Sequence, residues 1–401
     1  MTLRVAALAS ALLLSAACDG GGRGARASVQ TRDSAGVGIV ENRGSPPALG
    51  WTVDTVPLVS IGGDGAAGGP LFQVTDALRM PDGGIVVASA GTQQVRFYGT
   101  DGTLLRAVGR AGEGPGEFRA PFWLGRLRGD SVAVWDAGLR RFSVLSPTGD
   151  FGRAIQPSGL SGVFPQVIGV LPDDRFVVAS AAGAQALPSP GQPRRDTAAF
   201  VVVDAAGAVA DTLGVFAGTE MVAMGTPATG FVLRPRPFGR QTVTAVRDNR
   251  LYVATGDTYQ VAVHEPGRGL RALYRAEREP VPVTREDQEA YRRSLVTLGG
   301  NAQAKAQSDR LLDEVPFPDQ MPPLTAMKVD SAGNLWLQDP QPPGDDAPST
   351  WTVLDPAGRV LGRVRLPSDL SVRQIGGDWV LGVVVDADQV EHVRLYRLTR
   401  G

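Results

Sequence analysis

Cysteine is almost missing from this chain. Cys18 is the only one in 401 residues, so no disulfide can form within the chain and the fold must rest on buried apolar surface. Histidine is nearly as scarce, with His264 and His392 alone, which puts a three-histidine zinc site out of reach. Lys305 and Lys328 are the only lysines; all other basic side chains are arginine. Charge of one sign is not in excess: the net charge is −1, which argues against a nucleic-acid partner. The motifs HExxH and G-x-S-x-G and a phosphate-binding P-loop are absent. Gly63, Gly65 and Gly68 match a dinucleotide fingerprint in letters only, because Pro70 and an extended run follow where a helix is required. Long apolar runs are lacking too. The stretch from Val5 to Ala17 is too short for a helix to cross a bilayer core of about 30 Å.

That stretch follows Arg4 and ends in Leu14-Ser15-Ala16-Ala17-Cys18, the pattern of an export signal. It resembles a bacterial lipobox, in which cleavage before the cysteine leaves a lipid on its sulfur; Ser15 stands where leucine is more usual. The resemblance implies a signal peptide over 1–17, a lipidated Cys18 with a flexible tether over 18–30, and anchoring to a membrane of the cell envelope, facing the periplasm. Asp19 resembles an inner-membrane retention signal, and the leaflet stays open.

What the chain has in abundance is glycine, proline and repetition. The 51 glycines and 30 prolines suit many tight turns between short strands. A unit of turn, apolar run, turn, apolar run is written six times, with first runs starting at Ile85, Val132, Phe176, Leu251, Leu335 and Val380. In one full unit, runs over 74–80, 85–89, 95–99 and 104–108 are separated by short polar segments, including Pro81-Asp82-Gly83-Gly84 and Thr100-Asp101-Gly102. Asp-Gly between alternating runs signals a hairpin. Four antiparallel strands per unit, recurring about every 45 residues, is the spacing of propeller blades. The sixth unit stops one strand short, and residues 53–61 are expected to complete it and close the ring. The predicted fold is an all-β, six-bladed β-propeller over 31–401 with a helical insertion near 282–315.

Residues 109–118 (Gly-Arg-Ala-Gly-Glu-Gly-Pro-Gly-Glu-Phe) with Pro121 resemble the linker that opens NHL-type repeats. Residues 130–136 and 140–144 resemble the strands that follow it. The chain is thus similar to bacterial six-bladed propeller lipoproteins of the NHL-like group, most sharply over about 70–155. That group is defined by its fold, so the resemblance implies an architecture rather than an activity.

In such a blade the first and third turns share one face, and here they are uniformly tight. The long segments (181–196, 217–237, 276–325 and 339–350) belong to the opposite face, over blades three to five. Long loops gathered on one face are a candidate binding surface. Arg194, Arg195, Arg234, Arg236, Arg240 and Asp339 punctuate them and are the candidate ligand-binding residues, since guanidinium groups take carboxylates or phosphates in a bidentate way. Within the largest segment, Thr284 and Asp287 form a capping pattern, and Tyr291, Leu295 and Leu298 fall on one face of a helix; a second helix is expected over about 302–313. The six tryptophans read as core, with Trp123 placed in a link that reaches the loop face.

The leading expectation is an exported, lipid-anchored binding module for a small ligand or an envelope protein, needing no cofactor and no catalytic group. The alternative is a calcium-dependent hydrolase resembling lactonase propellers, which requires carboxylate and amide oxygens converging at the central channel; separately, Asp339, Asp345 and Asp346 are candidates for a calcium site in their loop.

Overall fold

The computed structural model describes residues 28–63, 68–162, 165–181, 191–226, 230–296, 316–342 and 347–401. Among them the chain forms six mainly antiparallel sheets, an all-β arrangement consistent with a propeller. The first sheet holds Val74–Arg79, Ile85–Ser89, Gln94–Tyr98 and Leu104–Val108, and the second Pro121–Arg126, Val132–Asp136, Arg141–Leu145 and Phe151–Ile155. In the third, Gln166–Val170, Phe176–Ala181 and Arg194–Val203 are followed by Val209–Thr226 and Gly230–Pro235. The fourth contains Val243–Arg247, Arg250–Ala254, Gln260–Glu265 and Gly269–Ala276. The fifth contains Ala326–Val329, Leu335–Gln338, Ser349–Leu354 and Val360–Leu366, and the sixth Ser371–Ile375, Trp379–Val385 and Glu391–Thr399.

The second strand of each sheet is the most apolar because it lies between two neighbouring strands with both faces covered. Ile85 to Ser89 and Val132 to Asp136 are buried at every position. Turn chemistry sets the hairpins. The carboxylate of Asp204 accepts the N–H groups of Ala206 and Ala208, each at 2.9 Å, and Gly207 takes φ +92°. Asp355 repeats this with Ala357 and Arg359, also at 2.9 Å. Gly358, at φ +82° against the Tyr274 ring, has neither the conformation nor the room for a side chain.

The core is divided among the gaps between sheets. Phe142 of the second sheet stacks on Phe176 of the third with centroids 3.9 Å apart. Tyr252, Val261 and Tyr274 of the fourth pack on Met327, Leu335 and Leu337 of the fifth. Leu381, Val383 and Val393 of the sixth pack on Ile85, Val87 and Tyr98 of the first. The innermost strands touch in sequence, and that of the sixth sheet touches that of the first.

Several expectations change here. Residues 53–61 are not one strand: Thr52–Val53 and Val59–Ile61 pair separately with Glu391–Thr399, split by residues 54–58. Strand Ser28–Ser34 begins inside the segment expected as tether; it pairs with Val37–Arg43, which adds to the fourth sheet in parallel beside Gly269–Ala276. Most of 217–237 is strand rather than loop, because Val209–Thr226 stays paired with Arg194–Val203 as far as Met221 and Gly230–Pro235 joins it as the fifth strand of the same sheet. Trp123 lies in the innermost strand of the second sheet, edge-on to Phe142 at 6.4 Å. The helix Arg285–Val296 carries its capping pair, with Thr284 Oγ1 and Asp287 Oδ2 at 2.8 Å. Tyr291 packs with Phe238 and Phe317, at 5.9 Å from each. The signal segment, Cys18, Leu298, Asp345, Asp346 and the expected second helix lie outside the described residues.

Candidate functional site

An open cavity of about 1390 Å³ sits over the fourth and fifth sheets, on the long-loop face. Each wall comes from a different part of the chain. Tyr259 precedes the third strand of the fourth sheet, and Arg278 follows its last strand. Asp339 begins the loop after Leu335–Gln338, and Arg363 lies on the outer strand of the fifth sheet. Pro46, Pro280, Pro322 and Pro340 stiffen the rim by fixing backbone torsions.

The segment after Val37–Arg43 makes the outer wall. Buried Asn42 donates to Arg275 O at 3.1 Å and Gly358 O at 2.9 Å, and accepts the Val360 N–H at 2.9 Å. It thereby ties the fourth sheet to the fifth. Farther on, Arg363 donates its N–H to Pro47 O, and Leu49 donates to Arg363 O, both at 2.9 Å. The N-terminal segment thus straps the two sheets that form the cavity.

At the cavity wall, the Asp339 carboxylate stands between two guanidinium groups, 4.0 Å from Arg278 and 3.9 Å from Arg363. These are loose pairs, beyond hydrogen-bond length. Burial pushes the Asp339 carboxyl up, and Arg278, Arg363 and the Thr352 hydroxyl pull it partly back. Arg278 lies over the Tyr259 ring at 4.7 Å and donates to Thr352 Oγ1 at 2.6 Å. Tyr259 Oη, Arg278 Nε and Arg363 Nε are buried without hydrogen-bond partners. The arrangement offers cationic donors for a carboxylate and an anionic acceptor for an ammonium or hydroxyl group.

Of the candidate residues read from the sequence, Arg240 and Asp339 line this cavity. Arg195, Arg236 and Arg240 come together around two carboxylates beside it. Arg195 and Arg240 each reach Asp257 at 3.0 Å, and Arg236 and Arg240 reach Glu220 at 3.1 and 3.5 Å. For Glu220, burial is the largest influence and pushes upward, but the Arg240 N–H and the Arg240 and Arg236 side chains outweigh it and hold the carboxyl low. Arg194 pairs with Asp196 at 2.6 Å, and Arg234 is exposed on Gly230–Pro235. Arg278, Arg363 and Tyr259 were not singled out from the sequence, because nothing in one repeat reveals a partner in the next.

Among the described residues, no group of three or more His, Cys, Asp or Glu gathers as metal ligands, and no helix is long and apolar enough to cross a membrane.

No protein family and no curated protein matches the chain by sequence. Solved structures do match. One is a protein of Bacteroides fragilis inferred to be exported, at 10% identity, covering 90% of this chain and 99% of that one with a TM-score of 0.49. A member of the DUF4221 family from Bacteroides vulgatus matches at 9% identity, covering 88% and 99%, with a TM-score of 0.49. A gluconolactonase from Xanthomonas campestris matches at 12% identity, covering 81% and 88%, with a TM-score of 0.39.

Proposed function

We propose that this protein is an exported, lipid-anchored, six-bladed β-propeller that binds a small zwitterionic or hydroxyl-bearing organic anion in the cavity over its fourth and fifth blades. Export and anchoring are supported by the apolar segment before Cys18 and by the cysteine's place at its end. Six blades and a closed ring are supported by the cyclic contacts of the innermost strands and by the pairing of Val59–Ile61 with Glu391–Thr399. Closure removes the sheet edges that invite aggregation.

The observation that carries the binding reading is Asp339, loosely held between Arg278 and Arg363 in a large open cavity. A carboxylate needed only for structure would be drawn into close hydrogen bonds with such neighbours. Here both guanidinium groups and the carboxylate keep capacity for a ligand. Arg195, Arg236 and Arg240 brace the adjoining wall through Glu220 and Asp257.

The test is a thermal-shift screen of amino acids, short peptides and sugar acids against the full chain, repeated with Asp339→Asn and Arg278→Met. A ligand that raises Tm in the wild type and not in either variant supports the site. A hit that shifts all three proteins equally, or a screen with no hit, overturns it. A chelator arm separates the calcium-dependent alternative: on the binding reading, chelation leaves the ligand-induced shift unchanged.

A further inference from the structure

The innermost strands carry a second cluster of charge, apart from the cavity. Lys328 lies on Ala326–Val329 of the fifth sheet, Arg373 on Ser371–Ile375 of the sixth and Asp76 on Val74–Arg79 of the first. These three strands are consecutive in the ring of contacts. The register slips between Val372 and Gln374, which leaves Arg373 as the bulged residue, and between Val74 and Asp76, which places a bulge at Thr75 next to Asp76.

The three charges do not neutralise one another. The Asp76 carboxylate is taken by backbone donors, Ala77 N–H and Leu124 N–H, each at 2.9 Å. Arg373 and Lys328 act on Asp76 through space, yet neither forms an ion pair with it. Arg373 Nε is buried with no hydrogen-bond partner, and among the described residues Lys328 has none either. Burial pushes the Lys328 ammonium down; Asp76 lifts it and Arg373 lowers it further. Two cations on touching, partly exposed positions, with one carboxylate already spent on backbone N–H groups, leave positive charge without an ion pair among the described residues. A lysine here is also notable in a chain that has only one other. Neither Lys328 nor Arg373 lines the cavity over the fourth and fifth sheets.

We infer that the space enclosed by the innermost strands binds a small oxyanion, a phosphate or carboxylate group, between Lys328 and Arg373. Arg373 supplies planar, paired N–H donors and Lys328 a point charge. Asp76 limits the charge the site accepts and disfavours multiply charged ligands, since it sits near the same two cations.

The test is calorimetric titration of the full chain with inorganic phosphate and, separately, with acetate, at fixed ionic strength in chloride. The expected result is one site per chain for at least one of them, with the preferred anion naming the class. Lys328→Met and Arg373→Met should each weaken that binding about tenfold or more, the scale of one charge-assisted hydrogen bond, while Lys328→Arg should retain it. No heat with either anion in the wild type overturns the inference without reference to any variant. Undiminished binding in Lys328→Met overturns it as well.

Discussion

Arg400, one residue from the end of the sequence, donates to the fully buried Asp330 carboxylate at 2.8 Å. Asp330 begins the turn after the innermost strand of the fifth sheet and also accepts from Asn334 Nδ2 at 2.9 Å and Trp336 Nε1 at 3.0 Å. Arg400 in turn lies over the Trp51 ring at 4.3 Å. One ion pair therefore gathers the fifth sheet, the end of the sixth and the N-terminal segment. Arg400→Met leaves the carboxylate buried without its cation and should cost about 3 kcal/mol. Urea denaturation of the two proteins checks it; the midpoint should fall with little change in slope.

Acid should unfold the protein partly through the same group. For Asp330, burial is the largest influence and pushes upward, but hydrogen bonds from Asn334, Trp336 and Arg400 outweigh it and hold the carboxyl low. Glu220 is also held low. Each has a folded-state value below its unfolded one, so the unfolded chain takes up protons first as pH falls. Their contribution is present above the ordinary carboxylate range, about pH 4, and lost as pH falls through the folded values. Glu220→Gln should lower Tm at pH 7 and narrow its gap to the wild type toward pH 3, as measured by calorimetry.

The N-terminal strap should matter more than its position in the sequence suggests. Asn42→Ala removes hydrogen bonds to Arg275, Gly358 and Val360, and should cost about 2–3 kcal/mol by leaving buried backbone groups unpaired. Hydrogen exchange should quicken first in Val37–Arg43 and at Val360–Leu366. Exchange confined to Val37–Arg43 would show that the strap does not brace the fifth sheet.

The helix Arg285–Val296 depends on its cap. Thr284→Ala removes the hydroxyl contacts with Asp287 and should cost about 1 kcal/mol of local stability. Faster exchange in that helix alone, with the sheets unaffected, is the expected pattern.

Architecture was legible to the extent that it is local. Apolar runs of strand length, divided by turns such as Asp101-Gly102, dictate hairpins because φ and ψ are fixed within a few residues. The capping pair Thr284 and Asp287 is local in the same way. The second half of Val209–Thr226 does not look like strand in the sequence, because Gly218 and Gly225 interrupt the alternation there. Of the residues lining the candidate cavity, the sequence singles out Arg240 and Asp339.

What the sequence by itself determined is the set of hairpins, the near absence of cysteine and histidine chemistry, and the gathering of long segments on one side. Tertiary structure alone decided which charges meet. Arg278 and Asp339 are separated by a whole link and two strands, and Asn42 and Val360 by more than 300 residues. Attraction between charged groups depends on distance in space, and for these residues that distance exists only once the sheets are packed side by side.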